Sequence, residues 1–224
     1  MQTLRNTTIA ILVMLGLLAF APAQAADATT PDQIAKKSVD DIVAALKTNK
    51  ATYAKDHKKL YAMVDEKVLP YFDFERMSQW VLGKHWQQAS PEQQKRFTEE
   101  FRSLLVRTYA TALLNYTDQK VEFLPFNARE GADEATVKTV IKQTGGGPDI
   151  PINYAFYKKN PDWKVYDVSI DGVSLVSNYR RTYASRIKRE GLDALIKSIA
   201  AANAKGAVDK SAVKPGSSSP GGSS

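Results

Sequence analysis

Side chains able to do acid–base, nucleophilic or metal chemistry are few in this chain, and their spacing organises little of it. The two histidines stand far apart, His57 in Lys55-Asp56-His57-Lys58-Lys59 and His85 in Gly83-Lys84-His85-Trp86. A helical zinc site needs two imidazoles one turn apart, and neither His-x-x-x-His nor His-Glu-x-x-His occurs. No cysteine is present. That excludes thiolate metal sites, iron–sulfur clusters, cysteine nucleophiles, disulfides and a lipid-modified N-terminal cysteine. The acidic pairs Asp65/Glu66, Asp73/Glu75 and Glu99/Glu100 fall on expected helices, beside bases or at caps, where they serve as solvated faces or dipole partners. Gly145-Gly146-Gly147 precedes Pro148 and a strand, so it marks a hairpin turn rather than a phosphate loop. One pair keeps a catalytic reading. Asp167 and Asp171 flank an expected strand, and a dry pocket would raise such a carboxyl into the range of a general base, with Tyr154 or Tyr166 as donor. The competing expectation is that the chain is no enzyme and carries neither metal nor cofactor.

Apolar and aromatic residues are what the chain has in surplus. Hydrophobic residues make up 43% of it, and Tyr109, Tyr154, Phe156, Trp163, Tyr166, Tyr179 and Tyr183 gather on the expected strands and the helices that cover them. Two arrangements fit: a filled core, as a basic protein-binding adaptor would have, or a cavity between a curved sheet and its helices. Rings with polar tips suit a cavity with a wet mouth.

The elements that hold these residues follow from periodicity and punctuation. Ile9 to Phe20 is a twelve-residue apolar run behind Arg5, followed by Pro22 and Ala23-Gln24-Ala25. The pattern is that of a cleaved secretory signal over residues 1–25. As a helix the run spans only about 18 Å, against roughly 30 Å for a bilayer core. Thr30-Pro31-Asp32-Gln33 is a capping box opening a helix with Val39, Ile42, Val43 and Leu46 on one face. A second helix carries Leu60, Met63, Val64 and Val68 up to Pro70. Asp73 caps a third, with Phe74, Met77 and Val81, closed by Gly83. Ser90-Pro91-Glu92-Gln93 opens a long helix expected to run to Tyr116, with Phe97, Phe101, Leu104, Leu105, Tyr109, Ala112 and Leu113 as its stripe.

The period then falls to two. Strands are expected at Val121 to Phe126, Ala135 to Thr144, Ile150 to about Phe156, and Trp163 to Ile170. These sequential hairpins predict a four-stranded antiparallel sheet, ended by Asp171-Gly172. Two helices follow, one with Leu175, Val176, Tyr179, Tyr183 and Ile187, the next with Leu192, Leu195, Ile196 and Ile199. The expectation is one α+β domain over residues 26–205, its sheet covered on one face. From Gly206 to Ser224, 12 of 19 residues are Gly, Ser or Pro, which predicts a disordered tail.

Several segments, taken in order, resemble a known family. They are Val68-Leu69-Pro70-Tyr71, Val81-Leu82-Gly83, Ser90-Pro91-Glu92-Gln93 leading to Phe97 and Phe101, and Trp163-Lys164-Val165-Tyr166-Asp167-Val168 running into Asp171-Gly172-Val173-Ser174-Leu175. The set resembles the MlaC or toluene-tolerance family, the periplasmic phospholipid-binding component of the Mla (maintenance of lipid asymmetry) system, over about residues 31 to 200. The resemblance implies a cone-shaped α+β roll like nuclear-transport-factor-2-like domains. It implies an apolar cavity that takes acyl chains and leaves the head group outside. It also implies a monomer in a Gram-negative periplasm. Such a monomer moves phospholipid between an outer-membrane lipoprotein–porin complex and an inner-membrane ABC transporter complex with its substrate-binding subunit. Carried over by position, Leu69, Tyr71 and Leu82 close the cavity, and Phe97, Phe101, Leu105 and Tyr109 cover it. Ile152 and Tyr154 line it from the third strand, Val173 forms the sheet-to-helix corner, and Tyr166, Val168 and Val176 complete the expected lipid contacts.

Charge supports the same setting. The formal net charge is +7, and +6 without the expected signal. Export argues against a nucleic-acid partner, so the excess suits anionic head groups or acidic protein surfaces.

Overall fold

The computed structural model describes residues 29–115, 119–129, 131–143, 146–159 and 161–206. The expected signal segment, the turn at Gly145 and the expected tail beyond Gly206 lie outside them.

Helix α1 (Pro31–Lys55) opens on the expected capping box, with the Thr30 amide donating to Gln33 Oε1 at 3.0 Å. Asp56 alone joins it to α2 (His57–Lys67), and its carboxylate accepts from the Lys58 amide at 3.0 Å. A 3-10 turn at Leu69–Tyr71 leads to Asp73, which caps α3 (Phe74–Leu82) through the Arg76 amide at 2.9 Å. Gly83 ends α3 at φ +54°, and a Cβ there would stand 3.2 Å from Arg180 Nη2, so glycine is required by both conformation and space. After α4 (Lys84–Gln88), the Ser90/Gln93 capping box starts α5 (Pro91–Ala110). This helix is shorter than expected. It tightens into a 3-10 segment, Thr111–Asn115, which leaves Ala112 exposed and lays Leu113 and Leu114 against the cluster beneath α1. No Pro or Gly announces that change, because tertiary packing produces it.

The sheet is an antiparallel meander, β1 (Val121–Phe123), β2 (Glu134–Ile141), β3 (Ile150–Lys159), β4 (Asp162–Ile170) and β5 (Val173–Ser174), in sequential order. The α+β class with an antiparallel sheet is as expected, but among the described residues the sheet has five strands rather than four. Asp171-Gly172 does not end the sheet. With φ of +51° and +76° it reverses the chain, so that Val173 pairs with Ile170 and Ser174 with Ser169. A bulge between β3 and β4 sets Ala155 opposite Asp167 and Phe156 opposite Val165, leaving Tyr166 as the extra residue.

Helices α6 (Leu175–Glu190) and α7 (Leu192–Ala204) return to the helical layer, separated at Gly191. Buried residues form three clusters. Met77, Val81, Leu82, Phe97, Phe101, Tyr179, Tyr183, Leu195, Ile196 and Ile199 join α3, α5, α6 and α7. Ile34 and Ala35 of α1 meet Val137, Phe156, Val165 and Val168 on one face of the sheet. Leu46, Tyr53, Leu60, Met63, Val64, Val106 and Ala110 tie the α1–α2 hairpin to α5. Among the described residues no helix is long and apolar enough to cross a membrane.

Candidate functional site

Where the three clusters approach one another they do not close. A cavity of about 220 Å³ remains between the sheet and the helices. Register explains its sheet wall. Ile152 and Tyr154 project from alternate positions of β3, and pairing puts Ile170 opposite Ile152 and Val168 opposite Tyr154, so all four face the helices. The helical wall is Ile42 from α1, Val64 from α2, Met77 and Phe74 from α3, and Leu105, Val106, Tyr109 and Ala110 from α5. Val68, Leu69, Phe72, Leu113 and Leu175 complete it. Leu69 and Phe74 also line a surface cleft with Asp65, Thr98, Glu99 and Arg102, so the wall there is one side chain thick.

Among the described residues no charged side chain lines the cavity, and the polar side-chain groups there are two phenols. Burial pushes the Tyr109 hydroxyl up to about 12, against the opposing effect of the Tyr179 hydroxyl. Burial likewise raises Tyr154, against the opposing effect of the Thr139 hydroxyl. Both stay neutral at physiological pH. Such a wall offers apolar contact and two weak polar handles.

The carboxylates considered for catalysis lie elsewhere. Asp167 is raised by burial, against hydrogen bonds that favour its charged form. It accepts from Ser174 Oγ and, at 3.1 Å, from the Val176 amide, so it ties β4 to the start of α6. Asp171 is an exposed turn residue. Neither carboxylate is among the cavity-lining residues, although Asp167 holds the backbone of Val168 and Leu175, which line it. Asp73, expected as a solvated cap, is 7% exposed and accepts also from Tyr157 Oη and, at 2.7 Å, from Lys159 Nζ. Burial pushes its carboxyl up, but the Arg76 amide, Lys159 and Tyr157 outweigh that and hold it below its ordinary value. Among the described residues no cluster of three or more His, Asp or Glu is placed to hold a metal.

Of the residues expected as lipid contacts, Leu69, Leu105, Tyr109, Ile152, Tyr154 and Val168 share the cavity wall. Seven do not. Leu82, Phe97, Phe101 and Val176 are closed into the helical core, where Phe97 stacks on Phe101 at 5.6 Å and Phe101 meets Tyr179 edge-on at 5.1 Å. Tyr71 rests on the Ile34–Phe156 cluster instead. Tyr166, displaced by the bulge, packs against Trp80 and Tyr157. Val173 pairs with Ile170 at the edge of the sheet and is not among the lining residues. Sequence reasoning did not assign Ile42, Val64, Val68, Phe72, Phe74, Met77, Val106, Ala110, Leu113, Ile170 and Leu175 to the site. Most stand in its amphipathic stripes, but a stripe marks only the inward direction, and filled core and cavity both lie inward.

The chain matches known proteins over most of its length. The family model described as MlaC protein matches residues 36–201. The Haemophilus influenzae protein named intermembrane phospholipid transport system binding protein MlaC is 28% identical over 170 residues, covering 75% of this chain and 79% of that protein. The toluene tolerance protein ttg2D of Pseudomonas putida is 31% identical over 182 residues, covering 80% and 83%. A phospholipid-binding protein from Ralstonia solanacearum, solved in complex with a phospholipid, superposes with a TM-score of 0.72 at 34% identity. The match covers 78% of this chain and 97% of that one.

Proposed function

The chain belongs to the MlaC family, and from that premise we propose that it is a soluble periplasmic phospholipid carrier, exported by its N-terminal signal. It encloses acyl chains in the cavity and moves lipid between outer-membrane and inner-membrane Mla complexes. On this reading its partners are a lipoprotein–porin complex at one membrane and an ABC transporter complex with its substrate-binding subunit at the other. The observation that carries the proposal is a cavity between sheet and helices whose wall, among the described residues, holds no charged side chain.

The energetics favour enclosure. Burying a methylene is worth about 0.8 kcal/mol, so two chains of about sixteen carbons bring, as an upper bound, over 20 kcal/mol. No soluble carrier can leave such chains in water, and release must take place inside a docked complex. A cavity of about 220 Å³ falls below the roughly 300–1,000 Å³ usual for small-molecule pockets. Loading a diacyl lipid therefore requires the helical wall and the sheet to part. Leu69 and Phe74, with the cavity on one side and a cleft on the other, mark where the chains pass and the head group stays outside. Among the described residues no cationic side chain lines the cavity, and on this reading the head group is not read there.

Native purification, organic-solvent extraction and mass spectrometry test the reading. Phospholipid in near-equimolar amount is expected. Protein free of phospholipid, which also takes none up from vesicles, overturns it.

A further inference from the structure

The lysines are not spread evenly. Lys47, Lys50, Lys55, Lys58 and Lys59 fall within thirteen residues at the tip of the α1–α2 hairpin. The acid among them is Asp56, whose carboxylate caps α2 through the Lys58 amide. Lys47, Lys55, Lys58 and Lys59 are exposed, and none enters an ion pair among the described residues. Lys37, Lys67, Lys142 and Lys159, by contrast, all hold carboxylates. Beneath the tip, Tyr53 and Leu60 are buried, so the ammonium groups stand on a fixed base.

We propose that this tip is a docking surface for anionic phospholipid bilayers. Charge complementarity selects the partner class, and residue type selects between a bilayer and an acidic protein. The cores of protein–protein interfaces are rich in aromatic residues and Arg and depleted in Lys. The tip carries lysines and no Arg, and its one exposed ring, His57, is turned toward Tyr61 on α2; clustered lysines of this kind are suited to a diffuse negative surface, to which each contributes independently. The same two helices carry Ile42 and Val64 of the cavity wall on their inner sides, and Val68 follows directly on α2. Seating the tip on a membrane therefore brings two walls of the cavity onto bilayer-bound elements. The inference does not depend on the carrier reading, because the charges attract the membrane whether or not the cavity holds lipid.

Co-sedimentation with vesicles tests it, comparing phosphatidylcholine alone with equal parts phosphatidylcholine and phosphatidylglycerol at low salt. Three proteins are needed: the wild type, a Lys47→Gln/Lys55→Gln/Lys58→Gln/Lys59→Gln variant, and a charge-matched Arg181→Gln/Lys188→Gln/Arg189→Gln/Lys197→Gln control on α6 and α7. The wild type is expected to bind only the phosphatidylglycerol vesicles. The tip variant should bind them roughly a hundredfold more weakly, and the control less than about tenfold more weakly. If the quadruple tip variant does not melt like the wild type, Lys58→Glu/Lys59→Glu carries the same comparison. Equal losses in tip variant and control overturn the proposal, as do wild-type binding to phosphatidylcholine alone and absence of binding to either vesicle.

Discussion

The two ends of helix α5 meet opposite surroundings. Toward its N-terminus, Phe97, Phe101 and Leu104 are fully buried in a stack of rings with Tyr179 and Tyr183. Toward its C-terminus, Leu105, Val106, Tyr109 and Ala110 face a cavity. The helix presents one apolar stripe throughout, so the difference arises from what stands opposite. α6 and α7 bring large rings and branched chains to the first half. The sheet and the α1–α2 hairpin leave the second half incompletely filled. The filled end supplies stability and the cavity supplies a place for a guest. Leu105 and Met77 belong to both, forming the partition between them.

Substitutions at the two ends should therefore separate stability from lipid retention. The largest loss is expected from Phe101→Ala, which removes the ring at the centre of the stack and should cost about 3–5 kcal/mol in denaturant unfolding. A loss near 1 kcal/mol would show that the filled end is less tightly packed than described. Val176→Phe overfills the same core and should cost about 1–3 kcal/mol. Asp73→Asn weakens the polar tie from α3 to β3 at the boundary of the two regions, and about 1–2 kcal/mol is expected at neutral pH. The folded state depresses the Asp73 carboxyl below its ordinary 3.8. Its contribution is therefore present above that value and lost as pH falls through the lower folded one, so wild type and Asp73→Asn should converge in acid. A gap that stays constant with pH would contradict this role. The smallest effect on stability, under about 1 kcal/mol, is expected for Val168→Phe, because the ring has the cavity to enter. Yet its lipid content should fall severalfold. Destabilisation matching that of Val176→Phe would erase the distinction between the two ends.

Local chemistry made much of the frame legible. Thr30/Gln33 and Ser90/Gln93 announced two helix starts, Asp73 and Gly83 bracketed a third helix, and period-two alternation located β2 to β4. The Asp171-Gly172 pair carries a hairpin signal, and the sheet continues through it into β5 rather than ending there. Tyr166 stands outside the cavity wall at the bulge. A bulge depends on the partner strand, and nothing in the alternation of β4 reveals it. Phe97 and Tyr109 share one stripe in the sequence, so their separation into core and cavity depends on the volume brought by elements about seventy residues away. The site was thus legible as an inward-facing apolar set, and its division was not.

Lipid content measured against stability tests the central claim most directly. Phospholipid should be quantified by mass spectrometry in natively purified wild type and Val168→Phe, with the thermal midpoint of each recorded alongside. The account predicts near-equimolar phospholipid in the wild type and several times less in a variant whose midpoint stays close to it. Equal phospholipid in two equally stable proteins, or none in the wild type, would contradict it.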